Sequence, residues 1–249
     1  MKVVKRIVYV ICLSVVTINC CSNCFASRSI PDKDFVEAFN SLHNKPFNEA
    51  QFEAYLKKGI SIDSANASGT TLLMKAVGTD NDDAVKFLVE KNAKINVFNG
   101  GGSSALGIAA VRKNPDIFIY LIENGADIEK IDTRENKALH FAAREGLLPA
   151  VEYLVRVKKV NIDAQGEDAK TALHYAMEHF VDGLKRNWTE KIKNQSKVLG
   201  YLLENKAACT IKDTNGKTAV DYANEALKSI KDEKNSAKLE EVIAKCKDK

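Results

Sequence analysis

The side chains of this chain that could do chemistry are its four histidines and six cysteines. Histidine can act as a general base or a metal ligand, but either role needs a nucleophile, a carboxylate or further ligands at a fixed spacing. No such set recurs around the histidines, which are His43, His140, His174 and His179. We therefore predict no catalytic, cofactor-binding or metal-binding residue and no cofactor, and we expect the chain not to be an enzyme.

The cysteines fall into two groups. Four of them lie within the first 26 residues, and no pair has the spacing of a zinc site. Cys209 and Cys246 remain, and they could form one disulfide in an oxidising compartment. We favour the alternative, in which each cysteine fills a small apolar space by itself.

A run of three glycines, Gly100–Gly102, could cradle a phosphate with its backbone N–H groups. A phosphate-binding loop of that type follows a strand and is followed by a lysine at a fixed spacing, and neither feature occurs here. Glycine also adopts positive φ without steric cost, which suits a tight turn. The sequence favours the turn.

The first 26 residues have the pattern of an export signal. Three basic residues precede an uncharged, mostly apolar run at 7–18, and Ala26 stands where a signal peptidase would cut, leaving Ser27 as the mature N-terminus. Two alternatives stay open. One is lipid attachment at Cys20 or Cys21, and the other is an uncleaved anchor, for which the apolar run is short against the ~20 residues of a span. All three predict an exported chain, either periplasmic or secreted, or anchored to the membrane and facing away from the cytoplasm.

The formal charge of +4 does not indicate a nucleic-acid partner. The leader holds three basic residues and no acidic one, so the remainder carries 34 basic against 33 acidic side chains. Binding to nucleic acid needs a basic surface that neutralises phosphates. We therefore expect no nucleic-acid partner.

One phrase, seen best in the stretch 136–146 that reads NKALHFAAREG, recurs along the chain. It has a small or capping residue, then an aliphatic residue two positions later, and an alanine three positions after that. Its copies begin at Thr71, Ser104, Lys137, Thr171 and Thr218, at steps of 33, 33, 34 and 47. A second phrase has the same step of 33 at 55–59, 88–93 and 121–126, continues at 154–155 and recurs last at 202–207. Two phrases with one period near 33 predict stacked units of helix, turn, second helix and loop.

These phrases resemble the ankyrin repeat over roughly residues 47–223, although no copy has the proline of that family and only two have its histidine. The resemblance implies an all-α solenoid of about five to six helix-turn-helix units with degenerate caps at both ends. It also implies that His140 and His174 bond to a capping residue and tie neighbouring repeats together. Thr171 can serve His174 in this way, whereas Lys137 leaves the partner of His140 open.

The periods predict one ankyrin-repeat domain, 27–249, after the leader at 1–26. We expect an N-terminal capping unit at 30–63, repeats near 66–98, 99–131, 132–164 and 165–211, and a last repeat with a C-terminal cap at 212–249. An extra residue in the third of those repeats is expected in the loop 157–159. The insertion at 178–197, which contains the only tryptophan, Trp188, is expected to lengthen a helical hairpin. A stripe at Leu239, Val242, Ile243 and Cys246 predicts a final amphipathic helix.

The resemblance implies a concave face that binds another protein, formed in part by the residue after each histidine position. The predicted protein-binding residues are the row Lys75, Ile108, Phe141, Tyr175 and Tyr222, the neighbouring Arg112, Arg144, Glu145 and His179, and Trp188 of the insertion. The alternative for the row is that its rings pack between neighbouring first helices. We expect a monomer with a protein partner of unknown identity and with membrane contact only through the leader. The competing functions are a structural envelope lipoprotein anchored through Cys20 or Cys21, and an enzyme with an unrecognised site.

Overall fold

The structure, a computed structural model, describes residues 33–247, which form twelve α-helices and no strand. The leader and the predicted terminus at Ser27 lie outside the described residues. Contacts place the described residues in one unit. The helices are α1 (Lys33–Ser41), α2 (Glu49–Lys57), α3 (Leu72–Gly78), α4 (Asp82–Glu90), α5 (Ala105–Arg112), α6 (Pro115–Glu123), α7 (Ala138–Glu145), α8 (Leu148–Glu152), α9 (Ala172–Lys185), α10 (Thr189–Glu204), α11 (Ala219–Leu227) and α12 (Glu233–Lys247).

Consecutive helices pair, and the pairs stack into two layers. The first helices α3, α5, α7, α9 and α11 each pack against the next in the series, and the second helices α6, α8, α10 and α12 do the same. This is the solenoid that the period near 33 predicts. Each first helix begins at a loop that we call a finger and ends at a short turn into its second helix.

The recurring phrase specifies how each first helix starts and packs. The hydroxyls of Thr71 and Ser104 accept the backbone N–H groups of Met74 and Gly107, both at 3.2 Å, as N-caps do. The alanine of each copy lies between neighbouring helices, where only a small side chain fits, and all five are fully buried: Ala76, Ala109, Ala142, Ala176 and Ala223.

The glycine run forms the predicted finger turn, and its three N–H groups are already occupied. Gly100 donates to the carbonyl of Ser68, whereas Gly101 and Gly102 donate to Asn99. Gly102 has φ +76°, and a Cβ there would come within 2.2 Å of the Thr133 hydroxyl in the next finger. The run therefore serves close stacking of fingers, not phosphate binding.

The extra residue of the repeat at 132–164 is placed differently from the expectation. Instead of enlarging the loop at 157–159, it is taken up in the second helix, which ends in a π-helical turn at Tyr153–Val157. The Lys158 N–H bonds the Tyr153 carbonyl at 3.1 Å, five residues back. A single inserted residue widens a helix in this way because the backbone bonds can shift by one position without breaking the helix.

The final helix α12 buries Leu239, Val242 and Ile243 against the stack, as the stripe predicts. The interpretation of the two late cysteines as separate apolar fillers is wrong. Cys246 of α12 is bonded to Cys209, with Cα atoms 5.8 Å apart, so the C-terminal cap is covalently closed onto the loop after α10. Within residues 33–247, no helix combines the length and the apolar character that crossing a membrane requires.

Candidate protein-binding surface

The row that follows the histidine position lies on consecutive first helices, from α3 to α11. Its rings contact the preceding unit. The ring centres of Tyr175 and His140 are 5.6 Å apart, and those of Tyr222 and His174 are 6.4 Å apart. The rings therefore pack between neighbouring first helices, while Tyr175 and Tyr222 stay half-buried and keep accessible atoms. Their role in binding stays a prediction.

Phe141 is the most buried member of the row, with 9% of its surface exposed. Its ring is covered by the Arg144 guanidinium, whose carbon lies 4.1 Å from the ring centre. Arg144 is held by Glu145, with Nε 3.0 Å from Oε1. Three predicted binding residues therefore form one cluster, in which Arg144, paired with Glu145, covers the ring of Phe141.

The Tyr175 hydroxyl joins the row to the fingers. It donates to Oδ1 of Asn136 at 3.0 Å and lies 3.3 Å from the Glu167 carbonyl. Burial and then the nearby Glu167 carboxylate raise the pKa of Tyr175 far above its ordinary value, so the hydroxyl stays protonated and donates. The contact fixes the angle of the Tyr175 ring on the first-helix face.

Tyr222 has an equivalent anchor. Its hydroxyl donates to the Asp213 carboxylate, and burial together with this bond raises the pKa of Tyr222. Burial alone would raise the pKa of Asp213, but bonds donated by Tyr222, Lys217 and Asn215 lower it to about 2. The carboxylate is therefore ionised at neutral pH, and Tyr222 is held by a charge-assisted hydrogen bond.

His174 has the structural role that the resemblance implies. Its Nδ1 accepts from the Thr171 N–H at 3.2 Å and lies 2.9 Å from the Thr171 hydroxyl. Its Nε2 lies 3.2 Å from the Lys217 carbonyl in the next finger. Because Nδ1 accepts, Nε2 carries the proton and donates to that carbonyl. The predicted tie between neighbouring repeats is confirmed.

The partners of His140, which the sequence left open, are backbone groups. Its Nδ1 accepts the Lys137 N–H at 3.1 Å, and its Nε2 lies 2.8 Å from the Ala164 carbonyl of the next finger. Burial lowers the pKa of His140, which favours the neutral ring that this pattern requires. In both histidines, each ring nitrogen therefore has a hydrogen-bond partner within the stack.

Arg112 bridges two repeats, since its guanidinium contacts the Asp80 carboxylate at 2.7 Å across the turn between α3 and α4. Beside it, Val111 has 53% of its surface exposed on α5. The other copies carry Gly78, Arg144, Glu178 and Glu225 at that position. A valine in a row of small or polar residues was the sequence signal for this exposed apolar side chain, and our sequence reasoning missed it.

His179 lies on α9, half-buried. Burial, followed by the positive charges of Lys191 and Arg144, lowers its pKa to about 4. The ring is therefore neutral at neutral pH and acts here as a polar packing residue. Asp182, one turn along α9, is the opposing charge.

Trp188 lies at the turn between α9 and α10 with 48% of its surface exposed. The guanidinium carbon of Arg186 is 5.0 Å and the Lys191 ammonium 5.1 Å from its ring. Both cations are bonded to Asp182, at 2.7 and 2.8 Å. The predicted lengthened hairpin is confirmed, and its tip carries an indole flanked by two fixed cations.

Sequence reasoning also missed the residues that shape the fingers. In four fingers, a side-chain oxygen five residues before the first-helix cap accepts backbone N–H groups two and four residues on. These residues are Asn66, Asn99, Asp132 and Asp213. The first three are spaced by 33, a signal that a search for a third phrase would have found.

Among residues 33–247, no group of three or more His, Cys, Asp or Glu side chains is arranged to hold a metal ion. The candidate surface thus has packed rings, charged pairs and two of the four large apolar side chains that are exposed among residues 33–247, Val111 and Trp188; the other two are Val36 and Val157. Those features are typical of contacts with a macromolecule.

Two family models match the chain. One for ankyrin repeats in three copies matches residues 42–132, and one for ankyrin repeats in many copies matches residues 121–176. Together they span more than half of the 249 residues. No curated protein matches the chain.

Many solved structures are similar to this chain, among them the following two. EF0377, described as an ankyrin repeat protein, has 25% identity and a TM-score of 0.66, covering 84% of this chain and 95% of its own. Another is one chain of the solved complex of the Bd0816 predatory endopeptidase from Bdellovibrio bacteriovorus with the immunity protein Bd3460. It has 22% identity and a TM-score of 0.63, covering 82% of this chain and 96% of its own. At that identity the second likeness is one of fold.

Proposed function

The chain belongs to the ankyrin repeat family, and from this premise we propose that it is an exported interaction scaffold that binds another protein through the face of its first helices. Stacked repeats of this family offer a continuous surface and not a chemistry. The carrying observation is that Val111 stays exposed on α5, the helix that also carries Ile108 of the row, and that Tyr175 and Tyr222 of the same row stay half-buried.

The composition of this face supports a protein partner. The half-buried rings of Tyr175 and Tyr222 are held by hydrogen bonds. The first helices also carry charged pairs, Arg112 with Asp80 and Arg144 with Glu145. An interface core is commonly apolar or aromatic and surrounded by polar groups that exclude water. Rings that are already ordered lose little further entropy on binding, which favours affinity.

The export part of the proposal rests on two observations. The first 26 residues have the order of a signal peptide, with basic, apolar and then small residues. The bond between Cys209 and Cys246 supports an oxidising compartment, because disulfides persist there and are rare in the cytosol.

Two matched valine variants test the binding face. Val111 on α5 and Val157 at the end of the second helix of its repeat are 53% and 61% exposed, so Val→Asp at either site places a charge in solvent without opening the core. The purified chain is used to capture partners from an envelope fraction, and mass spectrometry identifies them. We expect V111D to lose the captured protein and V157D to retain it. Retention by V111D, with both variants folded by circular dichroism, would contradict the proposed face.

A further inference from the structure

The insertion produces a projection beyond the edge of the stack, which we call the spur, residues 182–193. Helix α9 has 14 residues where α5 and α7 have 8, and α10 has 16 where α4 and α6 have 9. At 1.5 Å per residue, six further residues carry the tip about 9 Å past the neighbouring turns. The repeat stack itself does not need this extension, since the shorter pairs also close their turns.

The spur is braced from both sides. The buried Gln195 of α10 donates to the Arg144 carbonyl at 2.6 Å, which ties α10 to the end of α7. The buried Asn235 of α12 donates to the Leu184 carbonyl at 3.3 Å, which ties α12 to the end of α9. A projection held by its neighbours presents its tip in one orientation, which lowers the entropic cost of binding.

The two helices of the spur also pack tightly against each other. A Cβ on Gly183 would lie 3.2 Å from Cγ1 of Ile192, so the glycine permits their close approach. Leu184 and Ile192 are buried in the hairpin. The Trp188 N–H then closes the turn on the Gly183 carbonyl at 2.9 Å.

The indole of Trp188 is left half exposed although the hairpin has an apolar interior. Asp182 orients Arg186 and Lys191 beside the ring, and their hydrogen bonds lower the pKa of Asp182. Tryptophan and arginine are the side chains that most often dominate binding energy at interfaces. The exposed ring of Trp188 and its two oriented cations therefore form a preorganised binding feature.

The charge of the spur identifies the chemistry of its partner. Residues 182–193 hold four basic side chains and two acidic ones, and Lys185, Arg186 and Lys193 are exposed. The chain after the leader is otherwise nearly neutral, so the surplus is local. Complementarity then requires acidic groups around the place where the indole binds.

We propose that the spur is a second docking site, separate from the first-helix face, for a protein surface with an apolar pocket rimmed by Asp and Glu. Trp188 fills the pocket, and Arg186 and Lys191 pair with the rim. The proposal rests on the proposed function only in taking the partner to be a protein. The spur proposal concerns residues of the insertion. It would remain valid if the first-helix face bound no protein.

Photo-crosslinking separates the two sites. Benzoylphenylalanine replaces Thr189, an exposed neighbour of Trp188, in one full-length chain and Val111 in another, and each is irradiated in an envelope extract. Mass spectrometry identifies the crosslinked peptides. A crosslink from 189 to a protein segment rich in Asp or Glu supports the spur. No crosslink from 189, or one only to lipid or to a segment without acids, overturns it. The chain with the probe at 111 reports independently on the first-helix face.

Three variants made in the 189 chain test whether Trp188 and its cations cause the crosslink. Trp188→Ala is expected to lower the crosslink yield about tenfold, as for an interface hot spot. Val157→Ala, which shortens an exposed apolar side chain outside the spur, is expected to leave the yield unchanged. The double variant R186E/K191E is expected to abolish the crosslink, and so is salt at about 0.5 M, which screens exposed charges. An unchanged yield in W188A, with its melting temperature preserved, would overturn the proposal.

Discussion

Replacing His174 with alanine tests whether the stack depends on its buried histidine ties. His174 has 1% of its surface exposed and bonds at both ring nitrogens. The Nδ1 side supports the cap of α9 at Thr171, and the Nε2 side reaches the Lys217 carbonyl in the next repeat. The variant loses both contacts at once.

The magnitude follows from those two contacts. Each hydrogen bond contributes about 1 kcal/mol net, and a buried group left without a partner costs roughly 1–3 kcal/mol. The Lys217 carbonyl and the Thr171 hydroxyl lose their partner together, so we expect His174→Ala to lower the free energy of unfolding by about 2–4 kcal/mol. If water filled the site and bonded the two groups, the loss in free energy of unfolding would lie near the lower end of that range.

Urea unfolding followed by far-ultraviolet circular dichroism measures this loss in the full chain at neutral pH. His43, which is exposed, provides the matched control, and His43→Ala is expected to stay within about 0.5 kcal/mol of the parent. Hydrogen exchange should quicken most in α11, which the tie holds to α9. A loss under 1 kcal/mol, or abolished partner capture with unchanged unfolding, would refute the structural role of His174.

Three further predictions concern the disulfide, a half-buried histidine and the leader. Replacing Cys209 and Cys246 with serine should cost about 3–4 kcal/mol in urea unfolding, because their bond closes a separation of 37 residues, and a reductant should destabilise the parent but not this variant. His179 has a pKa of about 4 in the folded chain against 6.5 in the unfolded chain. Its contribution to stability is therefore complete above pH 6.5 and is lost as the pH falls towards 4. The loss is at most about 1.4 kcal/mol per pH unit, and it is smaller than that because the ring is partly exposed. Urea midpoints across that range should therefore fall, and His179→Gln should flatten the fall. The mature N-terminus should be Ser27 by intact mass of the envelope protein, whereas a mass with acyl chains would favour the lipoprotein alternative.

The fold could be predicted because its determinants are local and repeated. Thr71 and Ser104 cap helices through bonds to residues three positions on. The fully buried alanines recur at the same place in each copy. These determinants act within one repeat and recur in each copy. A period near 33 is therefore sufficient to indicate the architecture. The lengthened hairpin follows in the same way, from apolar spacing within the insertion.

The candidate binding surface could be predicted only in outline. Sequence position placed Phe141 and Tyr175 on the first-helix face. It did not predict that Arg144 covers the ring of Phe141 or that Asn136 accepts a hydrogen bond from Tyr175. The anchor joins residues 39 positions apart, and no periodic rule specifies which neighbour a ring will meet. Exposure of Val111 is a further example, since it depends on what the adjacent repeat leaves uncovered.

The sequence by itself determined the repeat, its caps, the two histidine positions and the place of the insertion, because each depends on residues within one or two helical turns. Only the tertiary structure decided that Cys209 meets Cys246, that the extra residue of one repeat becomes a π-helical turn, and that Gln195 and Asn235 brace the spur. Those outcomes depend on how separate units approach one another. Packing at that distance is set by the shapes of all the intervening side chains, not by the spacing of a few.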